Sequence, residues 1–197
     1  MSKYPDDLPL IRRCLAGDDR AFAGLVEQYN GVLYRLAWRM LRSEEEARDV
    51  TQEAFLRVYR ALHTFDQNRK FSTWILRITT NLCIDRLRRR KMKTLSINID
   101  ANDEERVPLV LVDDGPTPEM RYDRTAVGEV LDTLIKELPP IYRAVIELRH
   151  KRQLAYEEIA DVLEIPLGTV KARLHRAHRL LKDRLQAAGI GPDELES

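Results

Sequence analysis

Little in this 197-residue chain cross-links it or breaks its helices. There are two cysteines, Cys14 and Cys83, eight glycines, and no apolar run near the ~20 residues a membrane span needs. The cysteines sit in helical patterns without metal-ligand spacing, which excludes a disulfide framework and fits a reducing compartment. The opening MSKYPDDLPLIRR has no apolar core of the signal-peptide kind. The expectation is a cytoplasmic protein with no membrane insertion. Net charge is only +1, which excludes a globally basic coat for nucleic acid. The four histidines (63, 150, 175 and 178) join no carboxylates in a catalytic or metal-binding constellation. No enzyme, cofactor or metal site is expected.

What is present is helix. Apolar residues recur with a period near 3.6, and strand alternation is scarce. Phe22, Leu25, Val26, Tyr29, Leu33, Leu36, Ala37 and Met40 mark one long amphipathic helix opened by Asp18 or Asp19. Ser43 followed by Glu46 reads as a capping box for a second, which carries Ala47, Val50, Ala54, Phe55, Val58 and Leu62 inward. After a polar loop at Phe65–Lys70, Ser72 is placed to cap a third helix running to about Arg90. Helices resume at Val127–Leu138, and Pro139-Pro140 ends one and starts the next. The fold class is all-α: two small helical domains joined by an extended acidic linker. The expected boundaries are 1–93, a linker at 94–125, 126–188, and a tail at 189–197.

The charge is segregated. Arg77 to Lys93 holds seven Lys/Arg against one acid, Asp85, while Asp100 to Glu119 holds seven acids against one base, Arg106. Such asymmetry says more about partners than the total does.

Leu154–Lys182, LAYEEIADVLEIPLGTVKARLHRAHRLLK, places two short helical patterns across an Ile165-Pro166-Leu167-Gly168 turn. Val170, Leu174, Ala177 and Leu181 form a buried stripe. Lys171, Ala172, His175, Arg176, Arg179 and Lys182 face the other way, with Arg173 on the flank. Gly168 and Thr169 suit the start of the second helix. This is the pattern of a helix-turn-helix, whose second helix enters a DNA major groove. A charge run is otherwise usually a solvated face, and the turn at this spacing favours DNA.

A second basic surface lies on the helix after Phe71. Trp74, Arg77, Asn81, Asp85 and Arg88 fall on one strip that ends in Arg88-Arg89-Arg90-Lys91. An aromatic, an amide and cations together suit unstacked bases and phosphates. By composition alone Trp74 reads as core, and Asn81 reads equally as solvent-facing or as a ligand.

Here the residues resemble a known family. FSTWILRITTNLCIDRLRRRK (Phe71–Lys91), preceded by DVTQEAFLRVYRAL (Asp49–Leu62) and the FDQNRK loop, resembles region 2 of bacterial sigma factors. LPPIYRAVIELRH (Leu138–His150) with the helix-turn-helix resembles region 4. Two such domains on a short linker resemble the extracytoplasmic-function (ECF) group of the sigma-70 family.

The resemblance implies a factor that binds core RNA polymerase, recognises −35 and −10 promoter elements and helps melt DNA, for a stress or envelope regulon. It implies that Asp49, Gln52, Glu53 and Arg57 meet the β′ clamp helices, with the β flap a further contact. Phe65 and Asn81 would line a pocket for a flipped −10 base, with Arg77 beside them. Arg86, Arg88, Arg89 and Arg90 would hold phosphates. Lys171, Ala172, Arg173, His175, Arg176 and Arg179 would meet the −35 element. It also implies an anti-sigma partner, which could hold the factor at the inner face of the membrane. Ala155, Ala172 and His178 depart from the common pattern, where Ser or Thr, Ser, and Arg are frequent. A stand-alone helix-turn-helix regulator is the alternative, and it leaves Phe71–Lys91 without a use.

Overall fold

The computed structural model describes residues 7–97 and 126–188. Residues 98–125 of the expected linker and the tail 189–197 lie outside the described residues. Among the described residues there is no strand. Within these residues, eight α-helices follow in order: α1 Leu8–Leu15, α2 Asp19–Leu41, α3 Glu44–Ala61, α4 Phe71–Ile97, α5 Ala126–Glu137, α6 Pro140–Ile146, α7 Tyr156–Leu163 and α8 Leu167–Ala187.

The caps explain most boundaries. Asp18 accepts from the Arg20 and Ala21 amides at 3.0 and 3.4 Å and starts α2. Arg42 stops it in the left-handed region at φ 57°, its amide returning to the Trp38 carbonyl at 2.7 Å. Ser43 caps α3 by accepting from the Glu46 amide at 3.3 Å. α4 departs from expectation: it begins at Phe71, ahead of Ser72, and continues to Ile97. The apolar pattern ends near Arg90, but Arg, Lys, Met and Leu are strong helix formers and carry the backbone on.

Helices α1–α4 form the first half. Its core includes Leu25, Tyr29, Leu33, Val50, Ala54, Val58, Ile75, Leu76 and Cys83, all buried. Burial pushes the Cys83 thiol up to about 12, and burial also raises Cys14. Asp7 is buried where the Tyr29 hydroxyl and the Gln28 amide both donate to it at 2.6 Å. Helices α5–α8 form the second half around Leu138, Ala144, Val145, Leu148, Ile159, Val162, Val170 and Ala177. Between α6 and α7, residues 147–151 make one wider π turn.

The two halves pack against each other along α2 and α4. The centre of the seam is buried. Arg143 of α6 is 7% exposed and donates to the carbonyls of Met40, Lys136 and Leu138. One guanidinium therefore caps the C-terminal ends of α2 and α5, where orphan carbonyls and the negative dipole ends favour a cation. Arg152 donates to the Val32 carbonyl, and Arg39 lies 3.8 Å from the buried carboxylate of Glu147. Burial raises Glu147 from the ordinary carboxylate value, with Arg39 opposing it.

Candidate nucleic-acid interface

The helix-turn-helix forms as its pattern implies, with differences at the turn. α7 and α8 run Tyr156–Leu163 and Leu167–Ala187. The left-handed residue that reverses the chain is Glu164, at φ 51°, and no glycine occupies that place. Gly168 is already the second residue of α8, and a Cβ there would meet nothing within 4 Å. Pro166 precedes α8 and supplies no side-chain cap. Ala155, at the start of α7, has no side-chain acceptor, so Glu158 reaches back and accepts from the Ala155 amide at 3.0 Å.

On α8, Val170, Leu174, Ala177 and Leu181 are buried, and Leu185 extends the stripe. Lys171, Ala172, His175, Arg176, Arg179 and Lys182 are exposed and Arg173 is half-buried. All six proposed −35 residues line one shallow depression, with Ile141, Tyr142 and Thr169 on its edge. The Arg176 guanidinium approaches the Tyr142 hydroxyl at 3.5 Å.

The second surface is a cleft of about 680 Å³. One wall is the loop after α3 and the start of α4, with Phe65, Asn68, Arg69, Lys70, Trp74 and Arg77. The Asp66 carboxylate shapes the loop by accepting from the Asn68 amide and side chain at 3.0 Å. Phe65 is buried, packed edge-on against Phe71 (5.5 Å) and tilted against Trp74 (5.2 Å). Trp74 is half-buried and faces the cleft, so it is less a core residue than its composition implies. Asn81 is exposed one turn beyond Arg77 and lies outside the cleft lining.

The opposite wall of the cleft is acidic and comes from the other half of the molecule: Glu157, Glu158 and Asp161 of α7. Lys70 meets Glu158 at 2.6 Å, and Arg77 meets Glu164 at 2.6 Å. The hydrogen bond from Lys70 holds the Glu158 carboxyl below its usual range.

The arginine run at the end of α4 divides. Arg86 pairs with Asp49 at 3.4 Å; Arg90 pairs with Glu46 and donates to the Leu41 carbonyl at 3.2 Å. Both tie α4 to its neighbours. Arg88 and Arg89 are exposed.

On the outer face of α3, Asp49, Gln52 and Arg57 are exposed, and Glu53 pairs with Arg57 at 2.8 Å. The same face shows Leu56 and Tyr59 at 51% and 55% exposure. Sequence reasoning missed these two. The available signal was their phase, since both fall outside the Val50–Ala54–Val58 stripe. Tyr59 packs edge-on against Phe22 at 4.9 Å and its hydroxyl donates to Asp19 at 3.3 Å, while Leu56 lies exposed beside the charges. A third surface is an apolar groove of about 570 Å³, lined by Leu131, Ile135, Ile146, Leu181 and Leu185 and edged by His150 and His178. The two histidines approach at 2.9 Å between Nε2 atoms.

Among the described residues, no group of three or more His, Cys, Asp or Glu could hold a metal ion. No helix there is long and apolar enough to cross a membrane.

The family model of sigma-70 region 2 matches residues 25–92, and that of sigma-70 region 4 matches 128–181. The ECF RNA polymerase sigma factor SigW of Bacillus subtilis (strain 168) is 40% identical over 177 residues, covering 89% of this chain and 95% of that protein. The ECF RNA polymerase sigma-E factor of Escherichia coli (strain K12) is 32% identical, covering 94% and 97%. Among solved structures, CnrH in complex with the cytosolic domain of CnrY superposes with a TM-score of 0.64 at 25% identity, covering 93% of this chain and 99% of that one. With region 2 and region 4 in order and relatives matched over nearly their whole length, the chain belongs to the ECF RNA polymerase sigma factors.

Proposed function

We propose that this chain is a dissociable initiation subunit that joins core RNA polymerase, directs it to promoters and carries no covalent chemistry of its own. The observation that carries this reading is the presence of two separate basic surfaces on one small chain. The depression on α8 gathers exposed cations, and arginine suits guanine edges there. The wall of Phe65, Lys70, Trp74 and Arg77 combines aromatics with cations, as unstacked DNA requires. Asn81, with both donor and acceptor, reads the edge of a −10 base extracted from the stack, which costs a few kcal/mol. Arg88 and Arg89 hold phosphates; Arg86 and Arg90 chiefly brace α4.

The α3 face of Asp49, Gln52, Glu53, Leu56 and Arg57 takes the β′ clamp helices. The groove between α5 and α8 takes a further polymerase element at the β flap. CnrH was solved with CnrY, and by analogy an anti-sigma protein is the expected antagonist, which would keep this factor cytoplasmic and inactive until a stress or envelope signal releases it. A stand-alone regulator would use only α8 and leave the other surfaces idle.

The test is in-vitro transcription with purified core polymerase and a promoter panel. Initiation dependent on this chain is expected. No core binding and no initiation would overturn the reading and leave the stand-alone regulator.

A further inference from the structure

We propose that the acidic face of α7 is an internal occupant of the cleft, masking the single-strand-reading surface of the free chain while the duplex-reading face of α8 stays open. The inference rests on the functional reading above. It adds that the two DNA-reading ends are unequally available in the closed molecule.

The argument starts from which cations are engaged. Lys70 and Arg77 are the cleft cations that reach across the seam, and their partners are Glu158 and Glu164 at 2.6 Å each. Glu157 and Asp161 add negative charge to the same wall. Carboxylates spaced along a helix stand where phosphates of an incoming strand would stand. By contrast, the depression holding Lys171, Arg173, His175, Arg176 and Arg179 is lined only by residues of α6 and α8, so the first half does not cover it.

The seam also differs along its length. At Arg143 and Glu147 it is dry, with exposures of 7% and 2%. Over the cleft it is wet: the Lys70–Glu158 side chains are 58% and 30% exposed, and the Arg77–Glu164 side chains 26% and 61%. Exposed pairs of this kind each shift an equilibrium by about 1.4- to 5.4-fold and weaken with salt. A mask of such pairs holds in the free chain yet yields to DNA, which offers a phosphate at every nucleotide of a strand.

Two measurements on the full chain test this. A zero-length carbodiimide joins an amine to a carboxylate only where they touch. A Lys70–Glu158 amide is expected in the free chain by peptide mass mapping, and its loss is expected in the initiating polymerase complex. No such amide in the free chain, or its persistence in the initiating complex, would overturn the proposal.

The second measurement uses the Glu158→Gln/Glu164→Gln double variant. It removes both charges, while a carboxamide oxygen in place of the Glu158 carboxylate can still accept from the Ala155 amide. The probes are fluorescent random-sequence single-stranded and duplex DNA pools. The variant should bind the single-stranded pool about two- to thirty-fold more tightly than the natural chain at low salt, with duplex binding unchanged. Equal single-strand affinity would overturn masking. If the natural chain also fails to support initiation, the functional reading falls as well; if it initiates normally, only the mask falls.

Discussion

Arg143 offers the sharpest test of how the two halves are held. Its guanidinium serves three carbonyls, at Met40, Lys136 and Leu138, drawn from the ends of two helices. Replacement by methionine keeps most of the volume and the apolar stem but withdraws every donor. Each stranded carbonyl costs about 1–3 kcal/mol. Part of that is offset, because burial opposes the charge and pushes the arginine down to about 10. The net expectation for Arg143→Met is a loss of about 3 kcal/mol, in the range for removing one partner from a buried charged arrangement. Arg143→Lys, a point charge that reaches one carbonyl at a time, should lose about half as much. Urea unfolding followed by far-UV circular dichroism gives both values. A methionine variant within about 0.5 kcal/mol of the natural chain, or a lysine variant as poor as methionine, would refute the double-cap account.

The Asn81→Ala variant should impair open-complex formation, read by permanganate reactivity, more than duplex binding through α8; equal loss in both would deny the division of labour. His150 and His178 are both held below the ordinary histidine value of 6.5, by burial first and then by neighbouring histidine or cationic charge. Above that pH both states are neutral and nothing is lost. As pH falls below it, the unfolded chain gains protons that the folded pair resists, so stability drops on acidification. Melting temperatures between about pH 7.5 and 5.5 should therefore fall less steeply in His150→Asn/His178→Asn; an unchanged slope would clear the pair of any role. Gly168→Ala should raise stability by about 0.5 kcal/mol, because the site is helical and open around a Cβ; a lower melting temperature would reveal a hidden constraint.

The helices are legible in the sequence because each buries one stripe, and burial leaves a period. Val170, Leu174, Ala177 and Leu181 are the case in point. The first helix of the turn motif is also readable, from its Glu-rich first turn and the proline beyond it. The left-handed turn residue is not readable, since nothing in a glutamate at 164 announces a positive φ. The end of α4 escapes the pattern because its last turns are held by propensity, without an apolar stripe. The seam between the halves is illegible for a different reason. Lys70 and Glu158 are 88 residues apart, both charged and both partly exposed, so each reads locally as a solvated side chain. The candidate DNA residues follow from type and phase, yet Phe65 is buried and Arg86 and Arg90 are braced. The partners of the two arginines come from α2 and α3, which no inspection of α4 alone contains.

Cys83, sealed inside the first half, bears on how such a factor could register its surroundings. Burial keeps this thiol protonated at neutral pH, and the thiolate is the nucleophile that attacks a peroxide. Cys14 is shifted in the same direction. In both cysteines the shift disfavours the reactive thiolate. A regulon that answers peroxide through such a factor is better served by a reactive thiol on another protein, with the message passed on by contact.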